Sequence, residues 1–205
     1  MADGHSVSSS RNPFALPTGV AGRLAGWIMA RDDGPHREAA VLLAPAPGAT
    51  VCEVGFGPGQ LLAVLAERDP SIRLCGADPS EVMLAQARRR APSADLRLGA
   101  ADELPFYDDS ADHVASINNV ALWPDRGAGL AEARRVLQPG GTLLLAWHSS
   151  SAPSPMRRAL ARPDAWWDEL LADVRNEFGN ADRHNLRHLT ACTATAPPAD
   201  TAEEE

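Results

Sequence analysis

The sequence predicts an α/β fold, a mostly parallel sheet with helices on both faces. Three observations predict it. Short continuous apolar runs alternate with amphipathic stretches, the pattern of strand–helix–strand units on a parallel sheet. The first run leads straight into Gly55-Phe56-Gly57-Pro58-Gly59, which suits a tight strand-to-helix turn. Asp78, Asp102 and the pair Asn118-Asn119 follow later runs, at the sheet edge where open α/β folds take their ligands.

The elements follow in order. Strands are expected at 49–54, 72–77, 96–99, 113–117 and 142–147, and their unbroken apolar character suits strands covered on both faces. A helix over 20–44 precedes the first strand. The helix at 60–68 sets Leu61, Leu62 and Leu65 on one face. The next begins at Pro79, a favoured first helical position, with Val82, Met83 and Ala87 as its stripe and Arg88–Arg90 at its end. A helix over 130–137 stops at Gln138-Pro139-Gly140-Gly141, read as a terminator loop. A last helix spans 163–178. Thr190–Thr195 reads as a strand, whereas Asp182-Arg183-His184-Asn185-Leu186 is a poor strand by composition.

Composition narrows the function. The 205 residues carry 44% apolar and 22% charged side chains, a globular balance. Residues 1–13 read as a flexible terminus, 14–196 as a single domain and 197–205 as a flexible acidic tail. The net charge of −8 argues against nucleic acid as a partner. All basic residues are arginine, which excludes chemistry that needs an intrinsic lysine. Cys52, Cys75 and Cys192 are too scattered for a disulfide framework, and a reducing cytoplasm fits them. No secretion signal is visible at the first residues, and the longest apolar stretch falls short of the ~20 residues of a membrane span, so no membrane partner is expected.

The chemistry lies in Val51-Cys52-Glu53-Val54-Gly55-Phe56-Gly57-Pro58-Gly59-Gln60. A dinucleotide fingerprint requires a third glycine at position 60, where Gln60 stands. The glycines instead fall at 55, 57 and 59, with Glu53 two residues ahead. This compressed loop suits a ligand without phosphates, and the acid beside it suits a positively charged one. Asp78, nineteen residues after Gly59, can accept two ribose hydroxyls. Asp102 can accept from an adenine amino group.

These residues resemble the class I S-adenosylmethionine-dependent methyltransferases, in particular the type 11 branch that includes the ubiquinone/menaquinone-biosynthesis enzymes. The resemblance runs over 49–147 through EVGFGPG, GADPS, ADELPFYDDSAD, SINNVALWPD and EARRVLQPGGTLLLAW. It implies a Rossmann-like fold with seven strands in the order 3-2-1-4-5-7-6 and S-adenosylmethionine as cofactor. It also implies that Glu53, Gly55, Phe56, Gly57 and Gly59 flank the methionine moiety, Asp78 and Pro79 the ribose, Ala101 and Asp102 the adenine, and Asn118 the sulfonium end. Residues 14–48 would form a helical cap, 49–148 the cofactor-binding core and 149–196 the last helix and strands. Two other readings share parts of this pattern. Gln60 and the Leu-Gln-Pro-Gly-Gly block count against a nicotinamide-dependent oxidoreductase, while a protein that binds the same cofactor without methylating would look identical.

In-line methyl transfer from a sulfonium to a small-molecule acceptor needs alignment above all, and a base only for an acidic nucleophile. His148, after the fifth strand, is the candidate base; His113 lies at the wrong end of its strand. His36 either contacts the acceptor from the cap or occupies a solvated helix position. Trp123 either walls the acceptor or packs its loop. Trp166 and Trp167 read as core. His184, His188 and Cys192 would align on a helix as metal ligands, but no fourth ligand is apparent and no metal site is expected. The short segment after Trp147 leaves little lid, so a second subunit in a homodimer or the amino-terminal helix is expected to close the site.

Overall fold

The structure, a computed structural model, describes residues 33–198. Along the chain run α1 (Gly34–Leu43), β1 (Thr50–Val54), α2 (Gln60–Arg68), β2 (Arg73–Asp78), α3 (Glu81–Arg90), β3 (Asp95–Leu98) and β4 (Ala111–Ile117). A 3-10 turn at Val120–Leu122 leads to α4 (Arg126–Val136), β5 (Leu137–His148), α5 (Pro155–Ala159), α6 (Asp164–Phe178), β6 (Asp182–Asn185) and β7 (Leu189–Thr195). The strands form one seven-stranded sheet in the order β3-β2-β1-β4-β5-β7-β6. Strands β1 to β5 pair in parallel, and β7 is antiparallel to both β5 and β6.

Alternation along the strands feeds two cores. Cys52, Val54, Leu143, Leu145 and Trp147 pack with Leu130 and Ala133 of α4 and Trp167, Leu170 and Val174 of α6. Val51, Ala115, Ile117, Leu144 and Ala146 pack with Ala39 of α1, Leu61 and Leu65 of α2, and Met83 and Ala87 of α3. Each fully buried leucine contributes roughly 1.5–3 kcal/mol by leaving water. Because both faces are covered, the central strands need no polar side, and this made them visible as apolar runs.

Several elements differ from expectation. Helix α3 starts at Glu81 and not at Pro79, because Ser80 caps it: its Oγ accepts the Met83 amide at 3.4 Å, and its own amide donates to Asp78. Helix α4 begins at Arg126, where Asp125 accepts the Ala128 amide, and ends at Val136. The expected terminator loop Gln138-Pro139-Gly140-Gly141 lies inside β5, where the pairing with β4 shifts between Ala111↔Leu137 and His113↔Thr142. Gly140 takes φ +76° in this bulge, the left-handed geometry that glycine tolerates. Asp182–Asn185, dismissed on composition, is a true strand at the sheet edge.

Of the helix expected over 20–44, α1 accounts for 34–43, and 20–32 lie outside the described residues. The short helix α5 was not anticipated. Glu38 of α1 ties the first described helix to the last hairpin: its carboxylate accepts the amides of Arg187, His188 and Leu189 at 2.8–3.0 Å.

Candidate functional site

The carboxyl ends of β1, β2, β4 and β5 share one rim, and the glycine turn after β1 forms its floor. Gly55, Gly57 and Gly59 all have positive φ (+73°, +52° and +83°), so three left-handed residues reverse the chain within five positions. Gly55 N donates to Ala77 O at 2.7 Å and Gly59 N to Phe56 O at 2.9 Å. A Cβ on Gly55 would stand 2.1 Å from Asn119 Cγ, and one on Gly59 would stand 3.0 Å from Ala87 Cβ. The turn is therefore pressed between the loop after β4 and helix α3. Phe56 is buried beside Gly76.

Two carboxyls lie behind the turn. Asp78, at the end of β2, accepts the Gly57 amide on Oδ2 and the Ser80 amide on Oδ1, both at 2.9 Å. Burial raises its pKa, and the two amides partly oppose this. Glu53 is 2% exposed, and its Oε2 is buried with no hydrogen-bond partner among the described residues. Burial first, and the nearby charge of Asp78 second, push its carboxyl well above the usual range. Asn118 follows β4 with φ +54°; its amide donates to Ala146 O at 2.8 Å, while its Oδ1 is buried without a partner among the described residues. An orphaned acid two residues before the glycine turn and an orphaned amide oxygen just after β4 thus accompany a cradle with no room for added side chains. A cationic, hydrogen-bond-donating ligand fits that set, as S-adenosylmethionine is.

The other expected residues are dispersed. Ala101 is buried, while Asp102 and Pro79 are exposed. Trp123 is half-buried, donates from Nε1 to Asn119 Oδ1 at 2.8 Å, and lies so close to Gly129 that a Cβ there would meet its ring at 2.5 Å. It packs its loop against the core. Trp167 is core and Trp166 packs against it. His36 stands in the first turn of α1. His113 lies in β4, away from the rim, and burial lowers its pKa.

His148 ends β5 edge-on to Trp147, with ring centroids 5.7 Å apart. Burial, then the charge of Arg157, lower its pKa to about 4, so it is neutral at physiological pH. His184 and Cys192 lie on separate strands, and His184 Nε2 meets Thr193 Oγ1 at 2.8 Å. Among the described residues no group of three or more His, Cys, Asp or Glu could hold a metal ion.

Asn119 was singled out in sequence only as the partner of Asn118, yet it links Gly55 to Trp123. The adjacent amide pair was its only signal. A hollow of about 260 Å³ lined by Thr50, Arg73, Cys75, Asp95, Arg97 and Phe106 lies at the opposite, amino-terminal end of the strands.

The comparisons with known proteins agree with this geometry. Residues 52–145 match the family described as a methyltransferase domain. The chain is 35% identical over 183 residues to the uncharacterized methyltransferase YdaC of Bacillus subtilis, covering 86% of this chain and 99% of that one. It is 36% identical to the ubiquinone/menaquinone biosynthesis C-methyltransferase UbiE of Paracoccus denitrificans, over 97% of this chain and 83% of that one. Among solved structures, a chain in the Haloferax volcanii complex with the Trm112 methyltransferase activator shares the fold at a TM-score of 0.70 and 24% identity, covering 92% of this chain and 100% of that one.

Proposed function

The chain belongs to the class I S-adenosylmethionine-dependent methyltransferases of the type 11 branch, and from that premise we propose that it methylates a small-molecule acceptor held over the carboxyl ends of β4 and β5. The observation that carries this reading is the buried, unpartnered Oε2 of Glu53 behind a turn that Asp78 braces through Gly57.

The cofactor supplies an electrophilic methyl on a sulfonium, whose sulfur departs without needing a proton. Everything else is positioning by this chain. Gly55, Phe56, Gly57 and Gly59 let the backbone approach the methionine moiety closely, and Glu53 accepts from its ammonium. Asp78, with a lone pair still open on each oxygen, takes the ribose hydroxyls beside Pro79. Ala101 packs on the adenine, Asp102 accepts from its amino group, and Asn118 Oδ1 faces the sulfonium end. His148, neutral on the same rim, accepts a proton where the acceptor's nucleophile carries one. His36 borders the acceptor.

The enzyme works in the cytoplasm, which suits its three free cysteines; no helix among the described residues is long and apolar enough to cross a membrane. A second copy in a homodimer, or the amino-terminal segment, closes the site. Calorimetry against S-adenosylmethionine, S-adenosylhomocysteine and NAD tests the cofactor half of the reading: the first two should bind and NAD should not. Transfer of labelled methyl to a panel of phenols, amines and thiols tests the acceptor half, and sedimentation tests the pairing.

A further inference from the structure

Cys52 and Cys75 stand twenty-three residues apart in the chain, yet folding makes them direct neighbours. They face each other in the parallel register of β1 with β2. Paired residues of adjacent parallel strands point to the same face, and their Cα atoms lie about 4.8 Å apart. A disulfide spans roughly 4.4–6.8 Å between Cα atoms, so a bond between these sulfurs needs no change of register. Both thiols are free and already in contact. Cys52 donates its S–H to the Cys75 sulfur, and this bond first, burial second, hold the Cys52 thiol well above its usual range.

Exposure divides the pair. Cys52 is 0% exposed within the core. Cys75 is half-buried and lines the hollow of about 260 Å³ at the amino-terminal end of the strands, together with Thr50, Arg73, Arg97 and Phe106. This hollow lies away from the glycine turn, and methyl transfer makes no use of it. A small neutral oxidant can reach Cys75 there, whereas Cys52 offers it no surface. Cys192 is the contrast within the same chain. It is 0% exposed on β7, paired in register with Leu145 and Arg183, and burial pushes its thiol up to about 12.

We propose that Cys52 and Cys75 are a peroxide-reactive pair: hydrogen peroxide admitted by the hollow oxidises Cys75, and Cys52 converts the product into a disulfide between β1 and β2. In the first step the Cys75 sulfur attacks a peroxide oxygen and the O–O bond breaks. The thiol proton leaves with the departing hydroxide as water, and Cys75 becomes a sulfenic acid. In the second the Cys52 sulfur attacks that sulfenic sulfur and the S–O bond breaks. The Cys52 proton leaves with this hydroxide as a second water. The two thiols lose two electrons and the peroxide gains them. Exchange with a small thiol reverses the bond, so in a reducing compartment it is transient. The pair is independent of the methyl-transfer reading.

The test treats the reduced full chain with millimolar hydrogen peroxide under native conditions, quenches it with iodoacetamide in denaturant, and digests it without reduction. Mass mapping should show a Cys52–Cys75 link within one chain, two hydrogens lost, and Cys192 alkylated. Dithiothreitol should restore all three thiols. In Cys52→Ala, Cys75 should stop at the sulfenic acid, which dimedone traps. In Cys75→Ser, the Cys52 thiol should be lost roughly tenfold or more slowly than in the unaltered chain, since burial shields it. Where a variant does not fold, the linkage map of the unaltered chain decides, against the same treatment in denaturant, which should scramble the pairing among the three cysteines. Three alkylatable thiols after native treatment would overturn the proposal. So would links through Cys192 or between chains in place of the expected one, a fully oxidised Cys75 beside a free Cys52, or an unchanged rate of Cys52 loss in Cys75→Ser.

Discussion

Asp78 holds Gly57: across the gap between the end of β2 and the turn after β1, its Oδ2 accepts the Gly57 amide at 2.9 Å. The same carboxylate takes the Ser80 amide, so one buried side chain joins the glycine turn to the start of α3. Each oxygen keeps a further lone pair. In the proposed site, the carboxylate meant for the ribose is thus oriented before any ligand arrives, which lowers the ordering cost of binding.

Replacing Asp78 with alanine should weaken S-adenosylhomocysteine binding by roughly 1.5–3 kcal/mol, about 10- to 150-fold in Kd. Calorimetry reads it directly. An unchanged Kd would remove Asp78 from the ribose assignment.

Glu53 should make cofactor binding release a proton. Its folded pKa is raised above the ordinary 4.5 by burial and by Asp78. Its contribution to folding is therefore full below the unfolded value and is lost as pH rises through the folded one. A cation placed against its orphaned oxygen lowers that pKa again. Between the ordinary and the raised values, affinity should climb with pH. Titrations in buffers of different ionisation heat should show proton release that disappears in Glu53→Gln. Equal release by the variant would show another group at work.

For His148 the sign is the reverse. Its folded pKa of about 4 lies below the unfolded 6.5, so its contribution is present above 6.5 and is lost as pH falls toward 4. The full effect is on the order of 3 kcal/mol. Denaturant melts of His148→Ala should lack that acid-side loss. The variant should also turn over more slowly with little change in cofactor affinity. An unaltered rate would rule out a proton-accepting role.

Gly55→Ala should cost roughly 1–3 kcal/mol, because it meets both a positive φ and the Asn119 side chain. Adding Asn119→Ala should recover the steric part but not the backbone part, roughly 1–2 kcal/mol. Thermal melts of the single and double variants separate the two. Full recovery would show that the turn relaxes freely.

Much of this was legible in the residues. The parallel strands announced themselves because both their faces are buried, and the loop because three glycines in five positions admit few other uses. Strand β6 was not legible: Asp182-Arg183-His184-Asn185 sits at the sheet edge, paired among the described residues with β7 alone and half exposed, so no apolar run marks it. Gln138-Pro139-Gly140-Gly141 carries all the signs of a loop, yet its backbone joins β5, since a bulge also uses a left-handed glycine. Pro79 fits a helix start, but Ser80 wins because its hydroxyl and amide both find partners.

The place of β7 carries a consequence for how the protein is made. It is the last strand among the described residues but lies between β5 and β6, and β6 has no other neighbour among them. As the polypeptide leaves the ribosome, the flank of β5 stays bare until residues 189–195 emerge, and Glu38 waits as long for the amides it gathers. The parallel core can assemble early, whereas the edge that carries β6 takes its final form only when synthesis has passed β7.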